Sequence, residues 1–168
     1  MSLVVPSPDV SAAPPSRRRW LLAFGAGLLL AAAWGSVVQT QFNLSAVTGL
    51  GVAVDAATRL RTTLQDLVFF GPIYAGLVLA AWLPAFALAG WVARRYPAGR
   101  IGLFAWAAGI GLVVAVRIAD AVAPMPVLIY ATRTWDGLLW MQLGSMVGGG
   151  LFAALTRSAS RAAAAGRG

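Results

Sequence analysis

Residues 67–122 read LVFFGPIYAGLVLAAWLPAFALAGWVARRYPAGRIGLFAWAAGIGLVVAVRIADAV, two apolar runs around the basic turn Arg94-Arg95-Tyr96-Pro97-Ala98-Gly99-Arg100. The runs, about Leu67 to Ala93 and Ile101 to Val122, are each long enough, at ~1.5 Å per helical residue, to cross a ~30 Å hydrocarbon core. A connection this short makes them an antiparallel hairpin. Pro72 and Pro84 lie inside the first run. Proline is tolerated in a membrane helix where neighbours satisfy the freed carbonyl, and it usually kinks the helix. Pro124 and Pro126 end the second run.

Two further runs flank this hairpin. The first, about Trp20 to Val38, stops at the polar residues Gln39, Thr40, Gln41 and Asn43. The last, about Asp136 to Thr156, is followed by Arg157 and a polar tail over 158–168. Residues 1–16, with Pro6, Pro8, Pro14 and Pro15, predict a disordered tail. Between the first two runs, Thr48-Gly49-Leu50-Gly51 reads as a break. Beyond it Val54, Ala57, Leu60, Leu64 and Leu67 recur every three or four residues, with Asp55, Arg59, Arg61, Thr62 and Gln65 between them. That pattern predicts an amphipathic helix lying at a membrane interface, or else an extension of the second span. The expected fold is therefore an all-α integral membrane protein: a four-transmembrane-helix bundle over 17–157, with an additional amphipathic interfacial helix between helices 1 and 2.

Composition supports this class. Hydrophobic residues make up 60% of the 168 and charged residues 11%, against about 45–50% and about 25% in soluble domains. The mean hydropathy is +0.78. The chain has no Cys and no His, and every basic residue is Arg and every acidic one Asp. Thiol, disulfide and iron–sulfur chemistry are excluded, as are imidazole bases and Schiff-base lysines. No cofactor and no metal are expected.

Charge sets an orientation. With the amino terminus inside, the inner side receives Arg17, Arg18, Arg19, Arg94, Arg95, Arg100, Arg157, Arg161 and Arg167 against Asp9. The outer side balances Arg59, Arg61, Arg117 and Arg133 with Asp55, Asp66, Asp120 and Asp136. The whole net charge of +8 falls on one side, which places both termini in the cytoplasm of a bacterial inner membrane. The pI near 11.7 then reflects anchoring to anionic headgroups of the cytoplasmic leaflet, not nucleic-acid binding. Ser16-Arg17-Arg18-Arg19-Trp20-Leu21 resembles a twin-arginine export signal, with Ala31-Ala32-Ala33 a candidate cleavage site. No soluble segment follows for export, so a retained first helix is the expectation.

Three constellations are candidates for function. Arg117 and Asp120 share a helix face near the outer end of span three, either as an interfacial ion pair or as a polar site. Arg61 and Asp66 before span two are echoed by Arg133 and Asp136 before span four. Each Asp would stand at a helix N-terminus, where capping explains it and a shared outer cluster would give it a ligand. Gly144 and Gly148, with Gly27, Ala31 and Gly35, form small-residue stripes for packing within the bundle or for docking a subunit. Trp20, Trp82, Trp91, Trp106, Trp135 and Trp140 read as interface anchors.

The expected function is a non-catalytic accessory or structural membrane subunit, as a homo-oligomer or within a larger complex. The alternative is a small transporter or lipid-handling protein built on the outer Arg/Asp cluster. An enzyme using Asp66, Asp120 or Asp136 would need a tuned pKa and a close partner, which the sequence does not supply.

Overall fold

The computed structural model describes the backbone of residues 16–123 and 129–165, with side chains through Arg157. The expected tail over 1–15, Asp9, Pro124, Pro126, Arg167 and the Arg161 side chain lie outside the described residues.

Four helices make the fold: α1 (Arg17–Gly49), α2 (Ala56–Arg95), α3 (Arg100–Val122) and α4 (Trp135–Ala165). Short 3-10 turns at Pro97–Gly99 and Tyr130–Arg133 complete the connections after α2 and α3. All four helices are long and apolar enough to cross a membrane. Ser16 caps α1, its side chain accepting from the Arg19 amide at 3.4 Å. Asp55 caps α2, accepting from the Thr58 amide at 2.7 Å. Hydrogen bonds from Thr58 hold the Asp55 carboxyl below its ordinary value, as a carboxylate at a helix N-terminus is held. Between these helices Gly51 takes φ +87, a left-handed conformation that only glycine enters without strain.

Two helices run past the limits expected for their spans. Helix α1 continues about three turns beyond Val38, to Gly49. Gln39, Thr40 and Gln41 do not break it, because their side chains bond to neighbouring elements and leave the helical ladder intact. Of the two readings of the amphipathic segment, the extension of span two is the one found: residues 56–66 form the first turns of a continuous α2. No proline or glycine interrupts it between Asp55 and Gly71, so nothing in the backbone ends the helix there.

Each helix packs against the next, and α4 closes against α1. This up-and-down order puts Arg17, Arg18, Arg19, Arg94, Arg95, Arg100 and Arg157 at one end, called here the basic end. All four described aspartates stand at the far end or its connections. The centre is filled by Trp82, Tyr74, Phe152, Leu112, Leu138 and Met141, each almost wholly buried. Trp82 therefore departs from its expected place among the interface anchors. Its indole Nε1 donates to Ser145 Oγ at 2.9 Å, and Ser145 donates to the Ala108 carbonyl at 2.8 Å, which ties α2, α4 and α3 together. Trp91, Trp106 and Trp135 are exposed as an outward anchor would be.

The α1–α4 seam is set by glycine. A Cβ on Gly27 would lie 2.6 Å from the Gly148 carbonyl oxygen, and one on Gly148 would lie 2.5 Å from that of Gly27. Ala31 packs into the same seam, Gly35 lies under the Tyr74 ring, and Gly144 lies under Trp34. Neither backbone can yield as a side chain would, so replacing Gly27 or Gly148 by Leu overpacks the seam by about 1–3 kcal/mol. The midpoint of thermal unfolding in detergent, followed by circular dichroism, should fall for both variants. Gly76→Ala, with nothing within 4 Å of the added carbon, should leave it unchanged or raise it; equal losses in all three would contradict this account of the seam.

Candidate functional site

The far end holds most of the polar side chains that the expected spans would have to accommodate, and it is where the structure places the candidate cluster. Gln39 Oε1 accepts from the Ala131 amide at 2.8 Å, which sets residue 39 of α1 level with the turn joining α3 to α4. At the next residue, Thr40 Oγ1 lies 2.7 Å from Asp66 Oδ2 and 2.9 Å from the Ser36 carbonyl, so α2 passes the same level at Asp66.

Beyond that level α1 and α2 continue alone. Helix α2 has 40 residues and α3 has 23, roughly 60 Å against roughly 35 Å. The extra turns form a projecting helical hairpin, held by its own polar side chains. Arg59 Nη1 donates to Gln41 Oε1 at 2.7 Å, Gln41 Nε2 donates to Thr63 Oγ1 at 3.2 Å, and Thr63 donates back to the Arg59 carbonyl at 2.8 Å. Polar groups thus face the α1–α2 seam, while Leu60, Leu64, Val68 and Phe69 point outward, each more than half exposed. These four, with Ala57, Arg61 and Gln65, line a shallow apolar groove of about 440 Å³. The connecting segment at the tip is apolar too, with Leu50 84% and Val52 53% exposed.

The expected cluster residues all lie at this end. Asp66 is engaged with Thr40 on α1. Arg117 is exposed, with its guanidinium over the Trp135 ring at 5.5 Å. Arg133 lies over the Tyr130 ring at 5.2 Å. Both arginines therefore make cation–π contacts, which hold a guanidinium against an aromatic face. Asp136 lies exposed in the first turn of α4, beside a small recess with Leu139, Trp140 and Leu143. Asp120 is partly buried near the end of α3, and Arg61 lines the outer groove of α2.

Several side chains that organise this end fall outside the candidate residues read from the sequence. Thr40, Gln41, Arg59 and Thr63 build the hairpin, and Gln39 ties it to the α3–α4 turn. Their signal was a run of amide and hydroxyl residues at the end of an apolar helix, which resembles a stop. At the basic end, Arg100 Nη1 donates to the Ala153 carbonyl at 3.1 Å and Thr156 Oγ1 at 2.9 Å, binding α3 to α4 through an arginine first assigned to a turn. Comparisons of the chain with protein-family models, with characterised proteins and with solved structures return no match.

The chemistry of this end is that of a hydrogen-bonded clasp. A double-mutant cycle on Thr40→Val and Asp66→Ala should give a coupling of about 1–2 kcal/mol in detergent unfolding, as for a partly buried hydrogen bond to a carboxyl group. A coupling near zero would mean the contact contributes nothing. Tyr74 offers a contrast. Its hydroxyl is buried with no hydrogen-bond partner among the described residues, so Tyr74→Phe keeps the ring and should not lower the midpoint.

Proposed function

We propose that the protein is a four-span inner-membrane subunit that holds the α1–α2 hairpin out of the bilayer as a docking arm for another protein. It is non-catalytic, an anchor and an adaptor, with both termini on the cytoplasmic side. Support for the membrane placement comes from spacing. Arg19 to Thr40 on α1, Arg100 to Asp120 on α3 and Asp136 to Arg157 on α4 each cover about 30 Å of helix, the thickness of a hydrocarbon core. Arginine therefore recurs at one boundary and polar or acidic side chains at the other. The side rich in arginine faces the cytoplasm by the positive-inside rule.

The observation that carries the docking role is the set of apolar side chains left exposed on the arm beside its polar seam. Arg59, Thr63 and Asp66 turn inward to α1, while Leu60 and Leu64 turn outward, and Leu50 and Val52 are exposed at the tip. A hairpin standing free in water favours the opposite arrangement. Apolar residues kept outward on a rigid polar seam form a face that gains from burial against a partner. Four exposed aliphatic side chains, each contributing about 1.5–3 kcal/mol on full burial, suffice for a specific contact.

The absence of native cysteine makes orientation directly measurable. In a bacterial host, Ser45→Cys on the arm should react with a membrane-impermeant maleimide in intact cells, and Ala98→Cys in the α2–α3 turn only after permeabilisation. The reversed pattern would overturn the orientation. For docking, tagged protein extracted in mild detergent from its native membrane should carry a stoichiometric partner. The double variant Leu50→Asp, Leu64→Asp should lose it while keeping its helical content. A wild-type protein that purifies alone, as a monomer, would defeat the adaptor reading.

A further inference from the structure

At the basic end the four helices leave a chamber that the docking arm does not use. Its volume is about 440 Å³, within the ~300–1,000 Å³ of pockets that take small amphiphiles. Its walls are aromatic. Phe24, Phe86, Phe104 and Phe152 are packed on one another with ring centroids 5.0 to 6.0 Å apart. Trp20 stacks on Phe24 at 5.3 Å. These contacts fix the rings against each other, so the chamber is a built apolar surface and not a gap awaiting collapse.

The rim differs in kind. Arg94 and Arg100 both line the chamber, one from the last turn of α2 and one from the first turn of α3. Arg94 is exposed and Arg100 is partly buried. Arg100 Nη1 makes both bonds to α4, and its guanidinium lies 5.0 Å from the centre of the Phe104 ring. Those contacts hold the guanidinium at the rim. Arg17, Arg18, Arg19 and Arg95 add positive charge at the same end. An apolar chamber with one fixed guanidinium, that of Arg100, and a second, exposed one, that of Arg94, at its mouth matches one chemistry: an acyl chain below a phosphate. Basic pockets between helices on the cytoplasmic side recognise lipid phosphates in this way.

We infer that this chamber binds an anionic phospholipid of the leaflet at the basic end, with the phosphate on Arg94 and Arg100 and part of one acyl chain against Phe86 and Phe104. The inference rests on the membrane placement proposed above, but not on the docking arm. Gly90 forms part of the chamber wall, and a Cβ there would touch only the tip of the Phe104 ring at 4.0 Å. Position 90 therefore admits a side chain that fills the chamber without displacing backbone.

The test uses the full chain in mild detergent, titrated with phosphatidylglycerol, phosphatidylcholine or inorganic phosphate, and read by native mass spectrometry and thermal unfolding. Phosphatidylglycerol should be retained at one molecule per chain and raise the unfolding midpoint, with phosphatidylcholine binding more weakly. Arg94→Gln should weaken phosphatidylglycerol roughly five-fold, the share of one arginine near a lipid surface. Gly90→Leu should abolish the retained lipid while leaving the lipid-free midpoint in place. Equal retention of the two lipids, or unchanged phosphatidylglycerol binding in Gly90→Leu, would overturn the inference. Displacement of the lipid by inorganic phosphate at equal concentration would do so too, because the site would then read an anion alone. Carbonate extraction of native membranes separates the two levels. Release of the protein there strikes the membrane placement itself, whereas a lost lipid preference in a protein that stays in the pellet strikes only this site.

Discussion

The fold depends on one approach of backbone to backbone, at Gly27 and Gly148. These residues belong to the first and last helices, and neither carries a Cβ to hold the two apart. Because α1 and α4 meet there, the four helices form a closed ring and not an open row of hairpins. Closure in turn creates the interior that Trp82, Tyr74 and Phe152 fill. Where helices lie close, dispersion between many atoms replaces larger side chains as the source of cohesion. The link from Trp82 through Ser145 to the Ala108 carbonyl then fixes the rotation of three helices within that ring.

From this ring the two ends diverge. The basic end joins aromatic side chains to guanidinium groups, whereas the far end mixes amides, hydroxyls, four carboxyl groups and arginines that lie on aromatic rings. An arginine such as Arg100 can lay its stem along apolar surface and still present a fork of donors to a helix end. Gln41 of α1 bonds both Arg59 and Thr63 of α2, while Leu60 and Leu64 of α2 are exposed on its outer face beside Arg61 and Gln65. The far end thus combines a hydrogen-bonded polar seam with exposed apolar side chains at Leu60 and Leu64.

Much of this was legible in sequence. Run lengths and the turn over 94–100 specified four helices and their antiparallel order. The arginine spacing specified which ends lie together, and the small residues at 27, 31, 35, 144 and 148 marked a packing stripe. Tertiary partners were not legible. Gln39, Thr40 and Gln41 read as the end of a helix because their hydrogen-bond acceptors and donors lie on α2 and in the α3–α4 connection, far away in sequence. Trp82 read as an anchor because nothing in the sequence pairs it with Ser145, which lies 63 residues away between Gly144 and Gly148. The Arg/Asp echo did identify charged residues near helix starts. It could not show that Asp66 would engage Thr40, or that Arg117 and Arg133 would each take an aromatic ring.

The seam between Gly27 and Gly148 also has a meaning in time. Its two halves are separated by most of the chain, about 120 residues, and ribosomes add roughly 5–20 residues each second. For roughly 6–24 s, then, Gly27 and Ala31 exist without the α4 surface that will cover them, whereas Gly35 meets Tyr74 of α2. Helices α1 and α2 can pair early through Thr40 and Asp66, but the ring cannot close until α4 emerges. The newborn chain therefore passes through a half-built stage with a smooth, uncovered flank, and the last helix made is the one that seals the first.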